Sequence, residues 1–198
     1  MDDNSPHVWV GSLAAYNSGD LLGDWFDAAD CPTNSRDWVD AMAASGALRG
    51  PALSSEAFRQ RLAVTHEELW VFDHEGFGPW LKGECSPAEA QRIAEVIASI
   101  EADGHDSDLV AGWLDEVGET AQAAEWDRPT CERFEDAYVG TYGSMGEYAQ
   151  DLAEQLGAYD PQAPWPTNCI DWDEAAGELG GDYFEIDVPD GVAIFRSY

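Results

Sequence analysis

The sequence predicts an α+β protein. It is elongated, with three small units in a row (α/β, helical, α/β) and a strongly acidic surface. Three observations carry this expectation. Short apolar runs bounded by turn residues are interleaved with helix-period stripes that have their own caps. The chain is 44% hydrophobic and 12% aromatic, with nine Trp, which is enough for cores where charge alone would suggest disorder. Forty Asp and Glu stand against nine Lys and Arg, a formal net charge of −31. Self-repulsion at that charge favours extended packing over one compact globule.

The first unit is expected over residues 1–80. His7–Ala15 and Leu21–Asp27 read as strands, with turn chemistry from Asn17-Ser18-Gly19-Asp20 between them. A helix follows, with Ser35 as N-cap, Trp38, Val39 and Met42 inward, and Gly46 as stop. A short helix near Ser55–Leu62 carries Arg59 and Arg61. Leu69–Phe72 reads as a buried strand, ended by Gly76, Gly78 and Pro79. With Arg36, Arg49, Arg59 and Arg61, this is the least one-sided part of the chain.

The second unit, residues 81–120, is helical. Ser86-Pro87-Ala88-Glu89 is a strong helix start, and Ile93, Val96, Ile97 and Ile100 form its stripe. Leu109, Val110, Trp113, Leu114 and Val117 form a second stripe. The third unit, residues 121–198, is α/β again. It holds a strand Tyr138–Tyr142 and a helix Ser144–Leu156, with Ser144 and Glu147 as capping box, Tyr148, Leu152 and Leu156 as stripe, and Gly157 as stop. Pro161, Pro164 and Pro166 mark a loop. Asp171 and Glu174 open a helix with Ala175, Ala176 and Leu179 that Gly180 ends. Tyr183–Val188 and Val192–Phe195 close the chain as a hairpin across Pro189-Asp190-Gly191.

Charge and motifs exclude several classes. A net charge of −31 opposes binding to nucleic acid phosphates or to anionic membranes. The expected partner is basic, or normally holds something anionic. No apolar run approaches the roughly 20 residues of a membrane span, and Met1-Asp2-Asp3 lacks an apolar signal core, so a cytoplasmic protein is expected. Cys31, Cys85, Cys131 and Cys169 are widely spaced and read as structural thiols. His66-Glu67-Glu68 is not the zinc-protease motif, and the loop from Asp103 fails the EF-hand pattern at Asp108 and Leu114. Gly143-Ser144-Met145-Gly146 reads as a helix cap rather than a nucleophile elbow. Acid pairs with abundant Trp resemble glycosidase subsites, but core packing explains the Trp residues as well. No enzyme, metal site or cofactor is expected.

The charge itself is patterned. Glu101–Asp127 contains nine acids and neither Lys nor Arg, although its apolar stripe predicts a folded helix. Glu147, Asp151 and Glu154 recur at i, i+4 and i+7. Like charges at that spacing cost roughly 0.2–0.5 kcal/mol per pair. A halophile's solvated surface is one reading, and an acidic chaperone for basic proteins another. A stand-in for DNA is a third. Carboxylates at i and i+4 on a helix lie about 6 Å apart along the axis, close to the phosphate spacing of a strand. About thirty charges at one per roughly 1.7 Å correspond to about 50 Å of duplex, which suits a row of small units or a dimer.

Four stretches then resemble ArdA-type antirestriction proteins in family order: Val8–Ala28 (VWVGSLAAYNSGDLLGDWFDA), Glu68–Phe77 (ELWVFDHEGF), Phe134–Leu152 (FEDAYVGTYGSMGEYAQDL) and Ile170–Ser197. The resemblance implies a B-form DNA mimic carried by mobile genetic elements. Such a protein is elongated and dimeric through its C-terminal unit, and it occupies the DNA-binding groove of Type I restriction–modification enzymes. It also implies that Asp108, Asp115, Glu116, Glu119, Glu135, Asp136, Glu147, Asp151 and Glu154 carry the mimicry, with Tyr183–Phe195 packing the dimer. Reversing Asp115, Glu119, Glu147 and Asp151 to Lys would then reduce inhibition in steps.

Overall fold

The computed structural model describes residues 5–163, 165 and 169–197. Pro164 and Pro166 of the expected loop, and Met1-Asp2-Asp3, lie outside the described residues. The fold is mixed helix and strand with two small antiparallel sheets. The backbone groups into two compact units, Met1–Asp108 with Ala121–Ala124, and Leu109–Thr120 with Glu125–Tyr198.

In the first unit, strand β1 (His7–Ser12) is followed by a short helix α1 (Leu13–Asn17) and strand β2 (Gly23–Asp27). The strand expected to reach Ala15 stops at Ser12, whose Oγ accepts the Ala15 N–H at 3.2 Å and so caps a helical turn. That hydroxyl also lies 2.7 Å from His66 Nδ1, a partner 54 residues away that local sequence cannot reveal. Helix α2 (Ser35–Ser45) is capped by Asn34, not Ser35, because Asn34 Oδ1 accepts the Asp37 N–H at 3.0 Å. Trp38, Val39 and Met42 are buried as expected, and the Trp38 indole donates to the Val10 carbonyl at 3.1 Å. Helix α3 (Glu56–Thr65) lies beside α2, and strand β3 (Leu69–Glu75) completes the sheet.

The sheet order is β2-β1-β3. Its edge strand β3 is not the buried strand that LWVF suggests. Only Val71 is fully buried, because Leu69 and Val71 share the core face with Val10 while Trp70 and Phe72 alternate to the other. Trp9 also faces that other side, its ring lying over Gly11 and Gly23, which are cross-strand partners. A Cβ on Gly23 would meet Trp9 at 2.5 Å and the Val10 carbonyl at 2.6 Å. Gly23→Ala is therefore expected to cost about 1–3 kcal/mol in urea unfolding, the usual range for overpacking. An unchanged unfolding midpoint would show that the ring moves aside freely.

Helix α4 (Pro87–Ala102) begins as the sequence predicts, with Ser86 Oγ accepting the Glu89 N–H at 3.2 Å. It buries Ile93, Ile97 and Ile100. Arg92 donates to the carbonyls of Gln122 and Ala124, tying that short segment to the first unit. Cys31 and Cys85 are buried thiols, and burial pushes both up to about 11. They stay protonated at neutral pH and unreactive, which fits the structural role expected of them.

Helix α5 (Ser107–Glu116) gives the second unit Val110, Ala111, Trp113 and Leu114 as buried residues. Val117 drops out of the expected stripe. The helix ends before it, Gly118 turns the chain at φ +81, and Val117 is 38% exposed. Helix α6 (Arg128–Ala137) has no counterpart in the sequence reading. It is capped by Asp127 and turns Thr130, Cys131, Phe134 and Ala137 inward at helical spacing, a side on which only Phe134 is large and apolar. Strand β4 (Tyr138–Tyr142) and helix α7 (Met145–Gln155) match expectation, except that Leu156 is exposed rather than packed. Helix α8 (Trp172–Gly177) starts on Asp171 as expected but stops short of Leu179.

Strands β5 (Tyr183–Val188) and β6 (Gly191–Arg196) form the closing hairpin. Val188 pairs with Gly191, so only Pro189 and Asp190 form the turn. The order β4-β6-β5 places β6 in the middle. Its Phe195 meets Phe134 at 5.7 Å and stacks on Phe184 at 5.3 Å, and Ile194 packs with Tyr148 and Val192. Aromatic side chains thus supply much of this core, consistent with their large buried area.

Candidate functional site

The nine expected acids sit mainly on three helices, and all but Asp151 are exposed. Asp108, in the first turn of α5, belongs to the first unit, where its carboxylate lies over the space beside Gly78. Desolvation, and then the charge of Asp106, raise its pKa above the ordinary aspartate value. A raised folded pKa means that the native state binds the proton more tightly than the unfolded chain. The ionised carboxylate therefore lowers stability above the folded pKa, and the penalty disappears as pH falls through it. Asp108→Asn is expected to stabilise the chain at pH 7 and to have no such benefit at pH 3. A thermal melt at both values checks this, and equal effects at the two would contradict it.

The other eight belong to the second unit. Asp115 and Glu116 end α5, and among the described residues neither has an ion-pair partner. Glu119 is different. It pairs with Arg133 at 2.7 Å, and the Arg133 guanidinium lies 5.3 Å from the centre of the Trp113 ring. This corrects the sequence picture of an acidic stretch without a cation, since α6 supplies one from fourteen residues on. Helix α6 also carries Glu135 and Asp136, and the backbone carbonyl of Asp136 accepts from Arg196 at 2.7 Å.

Helix α7 carries Glu147, Asp151 and Glu154. Ser144 Oγ accepts the Glu147 N–H at 3.1 Å, but Glu147 returns its bond to the Gly143 N–H at 2.7 Å rather than to Ser144. Asp151 accepts from Tyr142 Oη at 3.1 Å and from Gln155 at 2.7 Å. Burial first, and then this carboxylate, raise the Tyr142 pKa, so the phenol remains a donor. Glu147 and Asp151 thus also serve the local fold. Glu154 is exposed and makes no such bond among the described residues.

The second unit holds twenty acids and three arginines, whereas the first holds twenty acids and six basic residues. All three arginines are engaged within the unit: Arg128 with Glu132 at 2.7 Å, Arg133 with Glu119, and Arg196 with the Asp136 carbonyl. In the first unit, Arg36 and Arg59 are likewise absorbed. Both bridge Asp40 and Glu56 at 2.6–3.0 Å, and the bond to Arg36 holds Glu56 below the usual glutamate range. Arg49 donates to the Gly46 carbonyl, and Arg61 lies against Phe58. The arginines that set the first unit apart in the sequence are thus largely bound to their own surroundings.

No helix of the described residues is long and apolar enough to cross a membrane. Folded helices with exposed acids, their few arginines already occupied, define an acidic α+β protein whose surface suits a cationic counterpart. The chain belongs to the antirestriction protein (ArdA) family, whose model matches residues 8–189 of the 198. No curated protein matches the chain.

Proposed function

We propose that this antirestriction protein is a non-enzymatic inhibitor that mimics B-form DNA and competes for the DNA-binding groove of a Type I restriction–modification enzyme. The observation that supports this best is the charge balance of the second unit. Twenty acids face three arginines, each of which already has a partner within the unit. The remaining negative charge is available to an outside cation. In this reading the acids of α5, α6 and α7, Asp108 among them, together with Glu119, stand where phosphates would lie in the groove. The β5–β6 hairpin packs two copies together. The protein acts in the cytoplasm, where it meets the enzyme.

Attraction of this kind steers encounter and weakens as salt screens it, with a Debye length of about 10 Å at 0.1 M and about 3 Å at 1 M. The test adds the purified chain to a Type I enzyme and its DNA and follows cleavage as salt is raised. Cleavage should be blocked at low salt, with progressively more protein needed as salt rises. Full cleavage at low salt with the chain in excess would reject the reading. Equally tight binding to histone-like proteins would point to an acidic chaperone instead.

A further inference from the structure

The outer face of the first sheet leaves aromatic rings open to solvent. The core face of β1 is covered, with Val8 and Val10 fully buried and Trp38 bonded to the Val10 carbonyl. On the opposite face, register places Trp9 beside Trp25, and the bulge residue Phe72 meets Trp9 edge-on at 5.8 Å. Tyr16 of α1 extends the row, 5.0 Å from Phe72. These rings are not sealed off, since Trp25 is 43% exposed and Tyr16 54%.

The same register puts carboxylates among the rings. Trp9 pairs with Asp73 and His7 with Glu75, so both acids share the Trp9 face, whereas Asp27, also opposite His7, accepts from the Ala29 N–H at 3.0 Å. All three are exposed. No strand of this sheet contains Lys or Arg. Arg36 and Arg59 are held in their network with Asp40 and Glu56, and Arg61 lies against Phe58. The face therefore combines exposed aromatic rings with adjacent carboxylates and no cation of its own.

We infer that this face binds an arginine-bearing segment of a protein partner. A guanidinium stacks on an aromatic ring and at the same time presents its N–H fork to a carboxylate, a combination that a lysine ammonium reproduces less well. Cross-strand neighbours on one face lie about 4.5–5.5 Å apart, so ring and carboxylate are within reach of one side chain. This surface differs from the acids of α5, α6 and α7, and its test uses no restriction enzyme.

The test titrates the full chain with two fluorescent peptides of equal charge, alternating Arg-Gly and alternating Lys-Gly, and reads polarisation. The Arg peptide should bind about fivefold more tightly than the Lys peptide, the size of one or two exposed cation–π contacts. Trp25→Ala with Tyr16→Ala should remove that preference, and Trp25→Phe with Tyr16→Phe should retain most of it. Asp73→Asn with Glu75→Gln should weaken both peptides. Equal binding of the two peptides by the unmodified chain overturns the inference without any variant, leaving only attraction by net charge. A preference that survives loss of both rings also overturns it. So does a change of oligomeric state in the alanine variant with peptide binding intact, which would make the face a contact between copies.

Discussion

Changing Asp115, Glu116 and Glu154 together to Lys is expected to raise the concentration needed for half-inhibition of a Type I enzyme about thirtyfold at low salt. These three are chosen because they are exposed and make no ion pair or side-chain hydrogen bond among the described residues. The set suggested by sequence alone is less clean. Glu119 holds Arg133 over Trp113, Glu147 bonds the Gly143 N–H, and Asp151 bonds Tyr142 and Gln155. Lys at those positions would disturb the fold as well as the field. The triple reversal moves the formal charge from −31 to −25, two per site. Unit charges about 4 Å apart in water interact by about 1 kcal/mol, so three reversals facing a basic groove cost about 2 kcal/mol after partial screening. Any single reversal should change inhibition only a few-fold. The effect should shrink as salt rises, because it is Coulombic. Undiminished inhibition by the folded triple variant would move the binding face away from α5 and α7.

The largest effect on stability is expected from Gly191→Ala. This residue opens β6 at φ +138, a backbone region that side chains other than glycine's rarely adopt. A Cβ here would stand 2.1 Å from the Tyr142 carbonyl oxygen and 3.0 Å from its carbon. Both are backbone atoms of the neighbouring strand, so no rotamer change relieves the clash. Separating β4 from β6 exposes the cluster around Ile194, Val192 and Tyr148, on which α7 is packed. A cost of about 3–5 kcal/mol, at the upper end for one substitution, should leave the second unit largely unfolded. The acids of α7 would lose their frame, so inhibition should fall along with stability. Gly177→Ala is the contrasting variant. It lies in α8 with nothing within 4 Å of its Cβ, and alanine there should stabilise by up to about 1 kcal/mol. Equal behaviour of the two variants in a denaturant titration would contradict the assignment of β6 as the centre of that sheet.

What the sequence shows depends on whether the signal is local. Caps and turns are local chemistry, and the caps Ser86, Ser144 and Asp171 appear where their residue types predict, as does the last turn, shortened to Pro189-Asp190 by the pairing of Gly191. Strand edges are less legible. Ser12 can continue a strand or cap a helix, and its contact with His66, 54 residues on, accompanies the second outcome. Helix α6 is harder to see because its inward side, Thr130, Cys131, Phe134 and Ala137 at helical spacing, contains only one large apolar residue, Phe134. The acids behave in the same way. Their number and sign are visible in the sequence, but the pairing of Glu119 with Arg133 and the position of the Asp108 carboxylate beside Gly78 depend on tertiary neighbours. Likewise, the resemblance in four stretches is enough to indicate the family, whereas the division of acids between outward charge and internal bonding needs coordinates.

The proposal comes down to whether protein and duplex occupy one place on the enzyme. The most direct measurement is an equilibrium displacement experiment, with a Type I enzyme bound to labelled duplex and titrated with the chain at several duplex concentrations. The account predicts complete release of the duplex, a half-displacement point that rises in proportion to duplex concentration, and loss of both ligands over the same range of salt. A ternary complex, in which the enzyme holds the chain and the duplex together while cleavage is blocked, would contradict it.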